Sequence, residues 1–208
     1  MKSYPTIPYE VLKGLPVYIY DKLDGSNIRA EWSKKRGFYK FGSRRRLLSD
    51  DSFIIKEAEG LILAQREALE RYVVDQFRCD RCICFFEFWG PSSFAGLHKE
   101  DETHETALLD IEIYKRGFID QKAYRKLQEK LDVPTPRFLT HEKMTAEIEE
   151  QARAGELGSF EGIVCKSIMT DKYKKPLRFK VKSRQWIEKV KAIHAGNQKV
   201  LRELLEGL

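Results

Sequence analysis

The sequence has no apolar run long enough to cross a bilayer: hydrophobic residues make up 42% of it, and charged residues interrupt every stretch. Met1-Lys2-Ser3-Tyr4-Pro5 opens no leader core, so no membrane partner is expected and a cytoplasmic, intracellular location is predicted. Repeats and low-complexity tracts are missing too. Cysteine is scarce, at four residues. Cys79 and Cys82 are followed by Cys84, with Cys165 far away, so a zinc site would lack its second pair of ligands. Alternation puts Cys82, Cys84, Phe86 and Phe88 on one strand face, which predicts buried thiols. Disulfides are not expected without an export signal. What is present is a chain of 208 residues, enough for one sizeable core or two small ones. Its formal charge is +6 despite 32 acidic residues, which suits a polyanionic partner.

The coarse pattern is α+β. Strands are predicted at 17–21, 27–33 and 37–42, then at 82–89 and 107–114, with a short one after Pro134 and Pro136. Ile54, Ile55, Ala58, Leu61, Ile62, Leu69, Tyr72 and Val73 recur at helical spacing. They predict one helix over 52–77, capped by Ser49, Asp50 or Asp51 and weakened at Gly60. Further helices are predicted near 121–131, over about 142–154, and from Arg184 to Glu206. The last carries an apolar stripe that includes Trp186, Val190 and Leu204, with Lys189, Lys191 and Lys199 on its basic face.

Four short stretches put charge where chemistry would need it. Lys22 follows the apolar alternation Val17-Tyr18-Ile19-Tyr20 within Asp21-Lys22-Leu23-Asp24-Gly25-Ser26-Asn27. A strand end fixes the amine, Gly25 permits a sharp turn, and amides beyond the turn can face phosphate. Asp-Gly is also a common hairpin turn. The other stretches are Phe85-Phe86-Glu87-Phe88-Trp89-Gly90, Phe160-Glu161-Gly162-Ile163-Val164-Cys165-Lys166 and Leu177-Arg178-Phe179-Lys180-Val181-Lys182. Each reads as a bulky apolar strand interrupted by an ionisable group, which a buried strand carries only with a partner or a task. Taken singly, Glu87 could pair with a core arginine, and Lys180 with Lys182 could be one solvated strand face. Lys172, Lys174 and Lys175 read as an exposed basic loop or a nucleic-acid contact.

In that order, from Asp21 to Lys182, these stretches resemble motifs I, III, IV and V of the covalent nucleotidyltransferase superfamily of ATP-dependent DNA ligases, RNA ligases and mRNA capping enzymes. The resemblance implies a ligase-type, ATP-grasp-like fold of antiparallel sheets flanked by helices, with AMP bound between two sheets. It implies that Lys22 attacks the α-phosphorus of ATP, expels pyrophosphate and carries AMP as a phosphoramidate. Freeing a lysine amine at pH 7.4 costs about 4 kcal/mol from a pKa near 10.4. Asp21 and Asp24 would raise that cost if close, and Lys180, Lys182 and a divalent metal would offset them.

By the same resemblance Asp21 meets the adenine amino group and Glu87 the ribose. Glu161 serves a metal (Mg2+ or Mn2+) and the reaction centre. Lys180 and Lys182 bind the α-phosphate, and Lys166 touches phosphate. Arg44 positions the nucleotide and the nucleic-acid end, with Arg45 and Arg46 on backbone phosphates or in solvent. Ala107-Leu108-Leu109-Asp110-Ile111 departs from the family, because Leu109 stands where a phenylalanine stacks on adenine. An aliphatic side chain there forfeits part of a stacking contribution of roughly 1 kcal/mol.

An adenylylation domain is expected over 1–183, with a C-terminal helix over 184–208. The residues after Lys182 are too few for the OB domain of DNA ligases and capping enzymes. The signature and that shortness resemble the RNA ligase 2-like branch, acting alone as a monomer or with a helper protein. The expected substrates are 5′-phosphate and 3′-hydroxyl ends, RNA favoured over DNA. The alternatives are a minimal ATP-dependent DNA ligase and a non-catalytic nucleic-acid-binding protein of the same fold.

Overall fold

Period-two segments form strands and period-3.6 segments form helices in the computed structural model, which describes residues 1–44, 53–91, 93, 95–173 and 175–205. Arg45, Arg46, Lys174 and the candidate caps Ser49, Asp50 and Asp51 lie outside the described residues. Two units are distinguished. The first comprises Met1–Pro5, Gly25–Ser93 and Lys99–Thr135, the second Thr6–Asp24, Phe94–His98 and Pro136–Leu208.

The second unit contains β1 (Pro16–Asp21), β7 (Phe138–Lys143), β8 (Gly162–Thr170) and β9 (Pro176–Lys182). They form an antiparallel sheet in the order β7-β1-β8-β9. Val17, Ile19, Ile163, Cys165, Phe179 and Val181 supply its buried face, on which α4 (Ala146–Ala154) lays Ile148 and Ala152. Thr145 caps that helix, accepting from the Ile148 amide, and Gly155 ends it at φ 79. The expected C-terminal helix is two helices, α5 (Arg184–Ile193) and α6 (Gln198–Leu205). The break falls at His194-Ala195-Gly196-Asn197, where the Asn197 side chain caps the second segment by accepting from the Val200 amide. Trp186 and Val190 anchor α5, while Ile193 at its end is exposed.

The first unit holds β2 (Ser26–Ser33), β3 (Gly37–Ser43), β4 (Arg81–Trp89), β5 (Glu105–Ile113) and the two-residue β6 (Gly117–Phe118). Their order is β3-β2-β4-β5-β6, again antiparallel throughout. One expected helix over 52–77 is two, α1 (Phe53–Ala64) and α2 (Arg66–Phe77), interrupted at Gln65 and not at Gly60. α1 runs through Gly60 unbroken, and a Cβ there would meet nothing within 4 Å. The short α3 (Gln121–Lys130) is capped by Asp120. Cys79, Cys82, Cys84 and Cys165 are buried free thiols. The hydrogen bond to Cys82 and burial push the Cys79 thiol up, and burial alone pushes up Cys165. Among the described residues no helix is long and apolar enough to cross a membrane.

Candidate active site

β1 delivers Lys22 to the end of the second unit's sheet. Its backbone amide donates to the Gly162 carbonyl at 2.9 Å, so the residue stays tied to β8 although the strand has ended. The Ser183 amide donates to the Glu161 carbonyl at 2.9 Å, which ties the start of β8 to the end of β9. Gly162 makes this crossing possible. It sits at φ 131, and a Cβ there would fall on the Val181 carbonyl oxygen.

This knot converges three charged side chains. Lys22 Nζ lies 2.8 Å from Glu161 Oε2, and Lys182 Nζ lies 3.3 Å from Glu161 Oε1. Glu161 and Lys182 are buried, each 4% exposed. Burial pushes the Lys182 pKa down to about 8, with the positive charges of Lys22 and Lys180 acting the same way against the pull of Glu161. Lys182 also donates to the Leu204 carbonyl at 2.9 Å, and its ammonium lies 3.5 Å from the centroid of the Trp186 ring. An ammonium taken so far from water is strongly held, and each partner supplies part of what its hydration shell would.

Lys22 pairs with Glu161, and the two flanking aspartates take other hydrogen-bond partners. Asp21 accepts from Ser159 Oγ and lies 3.8 Å from Arg137 Nε. Asp24 Oδ2 accepts from the Trp186 indole N–H at 2.9 Å, and His98 Nε2 lies 2.8 Å from the Asp24 carbonyl oxygen. Burial and the nearby Glu161 charge raise the Asp24 pKa; the Trp186 hydrogen bond and Lys22 only partly offset them. Lys166 is buried with its Nζ 5.4 Å from the Tyr20 ring centroid, and half-buried Lys180 has its Nζ 4.1 Å from that of Tyr9. The second unit therefore brings together Lys22, Asp24, Glu161, Lys182 and Trp186. Asp24 and Trp186 were not among the expected site residues. For Trp186 a signal existed, since a buried indole N–H needs an acceptor; for Ser159 and Arg137 none did.

A small hard cation fits this donor set in a limited way. Among the described residues no cluster of three or more His, Cys, Asp or Glu is placed to hold a metal ion. The Glu161 carboxylate is close enough to Asp24 to help raise its pKa. One or two carboxylates are what Mg2+ takes when substrate phosphates complete its shell.

The first unit carries Arg44, Glu87 and Leu109. Glu87 is half-buried in β4, where its register partners are Asn27 in β2 and Ala107 in β5. Leu109 is the extra residue of a β-bulge, because Phe85 pairs with Asp110 and Phe86 with Leu108. The bulge leaves Leu109 half-buried between two fully buried neighbours. Arg44 is exposed just beyond β3. Gly25 does not adopt a positive φ; its need for glycine is the close approach of the Phe88 carbonyl.

The fold resembles that of solved ligases. A Naegleria gruberi RNA ligase with ATP and Mn matches at 20% identity and a TM-score of 0.62, over 86% of this chain and 52% of that one. The same organism's RNA ligase with pyrophosphate matches at 21% and 0.62, over 86% and 53%. An Aquifex aeolicus protein provisionally assigned as an ATP-dependent DNA ligase matches at 21% and 0.63, over 98% and 57%. No family model and no curated protein matches the sequence. The chain spans a little over half the length of the solved structures it matches. Two antiparallel sheets with flanking helices, and these similarities, give it the α+β ligase-type nucleotidyltransferase fold.

Proposed function

We propose that this chain is an ATP-dependent polynucleotide ligase, with RNA ends as its favoured substrate, acting through a lysyl-AMP intermediate. The observation that carries the reading is Glu161 held between Lys22 and Lys182 at 2.8 and 3.3 Å in a buried knot at the sheet's end. A carboxylate 2.8 Å from Lys22 Nζ is placed to take the proton the amine must shed. The freed amine attacks the α-phosphorus, an N–P bond forms, and the bond to the pyrophosphate oxygen breaks. Lys182, with Lys180 on the same strand, balances charge on the α-phosphate as pyrophosphate leaves. A 5′-phosphate end then takes the AMP from Lys22, and a 3′-hydroxyl displaces AMP to form the phosphodiester.

Glu161 and Asp24 would hold a divalent ion together with substrate phosphates; such an ion supplies Lewis-acid neutralisation of phosphate charge. The roles of Asp21, Arg44, Glu87, Leu109 and Lys166 in nucleotide binding rest on the resemblance. So do the division at residues 183 and 184 and an intracellular location. DNA sealing is the second reading, favoured by the similarity to the Aquifex protein over 98% of this chain.

The decisive experiment incubates the protein with α-labelled ATP and Mg2+ or Mn2+. A covalent adduct that survives denaturation is expected. Its absence with either metal would leave a binding protein of this fold. Nicked duplexes with RNA or DNA at the 3′-hydroxyl side then separate the two ligase readings.

A further inference from the structure

β8 and β9 extend beyond the sheet that contains them. Pairing of β8 with β1 ends at Lys166, opposite Tyr18, and from there, among the described residues, β8 pairs with β9 alone. The register also jumps, from Lys166 opposite Arg178 to Thr170 opposite Pro176, so β8 carries two extra residues. The result is a two-stranded ribbon with both faces in solvent. Adjacent residues Ile168 and Met169 are accordingly both about half exposed, at 49% and 51%. Tyr173 at the tip is 69% exposed. These three are half of the six large hydrophobic residues exposed among the described residues, so the ribbon concentrates such surface.

The ribbon is braced at both ends. At its base, buried Ser167 donates to the Pro16 carbonyl at 2.8 Å and accepts from the Met169 amide at 3.1 Å. At its tip, one Asp171 oxygen accepts from the amides of Tyr173 and Lys175 at 2.8 and 2.9 Å, and the Asp171 amide donates to the Lys175 carbonyl. Asp171 is also the only acid between Gly162 and Lys182; every other charged residue there is basic. Lys172 places its ammonium 5.1 Å from the Tyr173 ring centroid. An exposed ring beside Lys172 and Lys175, with the one carboxylate bonded to the backbone, has the chemistry of a base-stacking platform.

We propose that the tip of this ribbon binds an unpaired nucleic-acid segment, Tyr173 stacking on a base while Lys172 and Lys175 meet the flanking phosphates. The partner class rests on the ligase reading; the surface does not. The distance along β8 from Gly162 to Thr170 is about 26 Å at about 3.3 Å per residue. Contacts at the tip therefore add to nucleic-acid binding and leave the lysyl-AMP step alone.

The test measures fluorescence anisotropy of the full chain with a labelled single-stranded RNA of about 16 nucleotides, the upper site size of such platforms, and its DNA counterpart. Tyr173→Ala is expected to weaken binding about tenfold, within the range for losing one base–aromatic stack, and Tyr173→Phe to keep it. Replacing Lys172 and Lys175 by Ala should lower the log–log salt slope by about 1.4, two single-strand charges' worth. Circular dichroism melts confirm that each variant is folded. Wild-type affinity and slope in all variants would overturn the proposal. So would a ribbon used for protein association, seen if Ile168→Ser with Met169→Ser dissolves an oligomer while the Tyr173 and lysine variants bind RNA normally. The α-labelled ATP adduct reports separately. Its absence from wild type together with Tyr173-dependent RNA binding would sink the ligase reading and keep the platform; an intact adduct with indifferent Tyr173 variants would do the reverse.

Discussion

Glu31 in the first unit and Glu161 in the second are both almost fully buried, at 2% and 4% exposed, yet they are satisfied in opposite ways. Glu31 accepts from the Tyr39 hydroxyl at 2.6 Å and from Arg81, whose side chain is 48% exposed. Burial pushes its carboxyl up, but those hydrogen bonds and the Arg81 charge outweigh it and leave the pKa lowered. Nearby buried charges are likewise closed locally. Arg29 donates to the Met1 carbonyl and Ser3, Lys2 pairs with Glu112, and the Tyr4 hydroxyl donates to Asp110. Glu161 instead faces two ammonium groups, one of them pushed down to about 8. A carboxylate with one solvated partner stabilises the fold. A carboxylate between a buried lysine and a half-buried one leaves net positive charge at the site, which the phosphates of the proposed nucleotide would neutralise.

The largest effect should come from Lys22→Ala, which removes the proposed nucleophile. Label transfer from α-labelled ATP is expected to vanish, while sealing of a strand already carrying 5′-AMP persists. An adduct in this variant would remove Lys22 from the chemistry, and loss of both activities in a folded protein would give it another role.

Paired substitutions break the comparison directly. Glu161→Gln leaves buried Lys182 and half-buried Lys22 facing an amide and should cost about 3 kcal/mol in urea unfolding, with adenylylation lost and partly restored by excess Mn2+. Glu31→Gln should cost only about 1–2 kcal/mol, because Arg81 can return to water, and should leave adenylylation unchanged. Equal losses of activity in both variants would erase the distinction.

Lys182 sharpens it through pH. Its folded pKa of about 8 lies below the ordinary 10.5, so between those values the unfolded chain binds the extra proton. Stability should therefore rise with pH across that window, by at most about 1.4 kcal/mol per pH unit, the contribution being complete above 10.5 and lost as pH falls through 8. Lys182→Met should lack this slope when both proteins are unfolded in urea at pH 8 and pH 10. Identical slopes would mean the ammonium is better solvated than its burial implies.

Leu109→Phe should have the smallest effect. It restores an aromatic face at the bulge and is expected to lower the KM for ATP about fivefold, worth roughly 1 kcal/mol, without changing the maximal adenylylation rate. An unchanged KM would mean that Leu109 does not face adenine.

Much of the fold was legible because its elements obey local periodicities. The strands at 17–21, 27–33 and 82–89 fall within β1, β2 and β4, since alternation reports a half-buried strand wherever it occurs. The expected single helices over 52–77 and from Arg184 both proved to be pairs. Their apolar stripes continue across Gln65 and across His194-Ala195-Gly196-Asn197, and a stripe records which side is buried without recording whether the axis is unbroken. The two-residue β6 was missed because it is shorter than any periodic signal.

The sequence by itself determined the chemical inventory: a lysine after an apolar strand, a glutamate before a second, and paired lysines ending a third. Strand alternation and side-chain type are properties of neighbours along the chain, and they survive without a fold. Tertiary structure alone decided which carboxylate meets Lys22. Asp21 accepts from Ser159 and Asp24 from Trp186, and although Asp24 stays close enough to Lys22 to feel its charge, the ion pair at 2.8 Å is with Glu161, which arrives from far along the chain because Gly162 lets β8 cross against β9. Burial then lowered the pKa of Lys182, since desolvation depends on what packs around an ammonium and not on what precedes it in sequence.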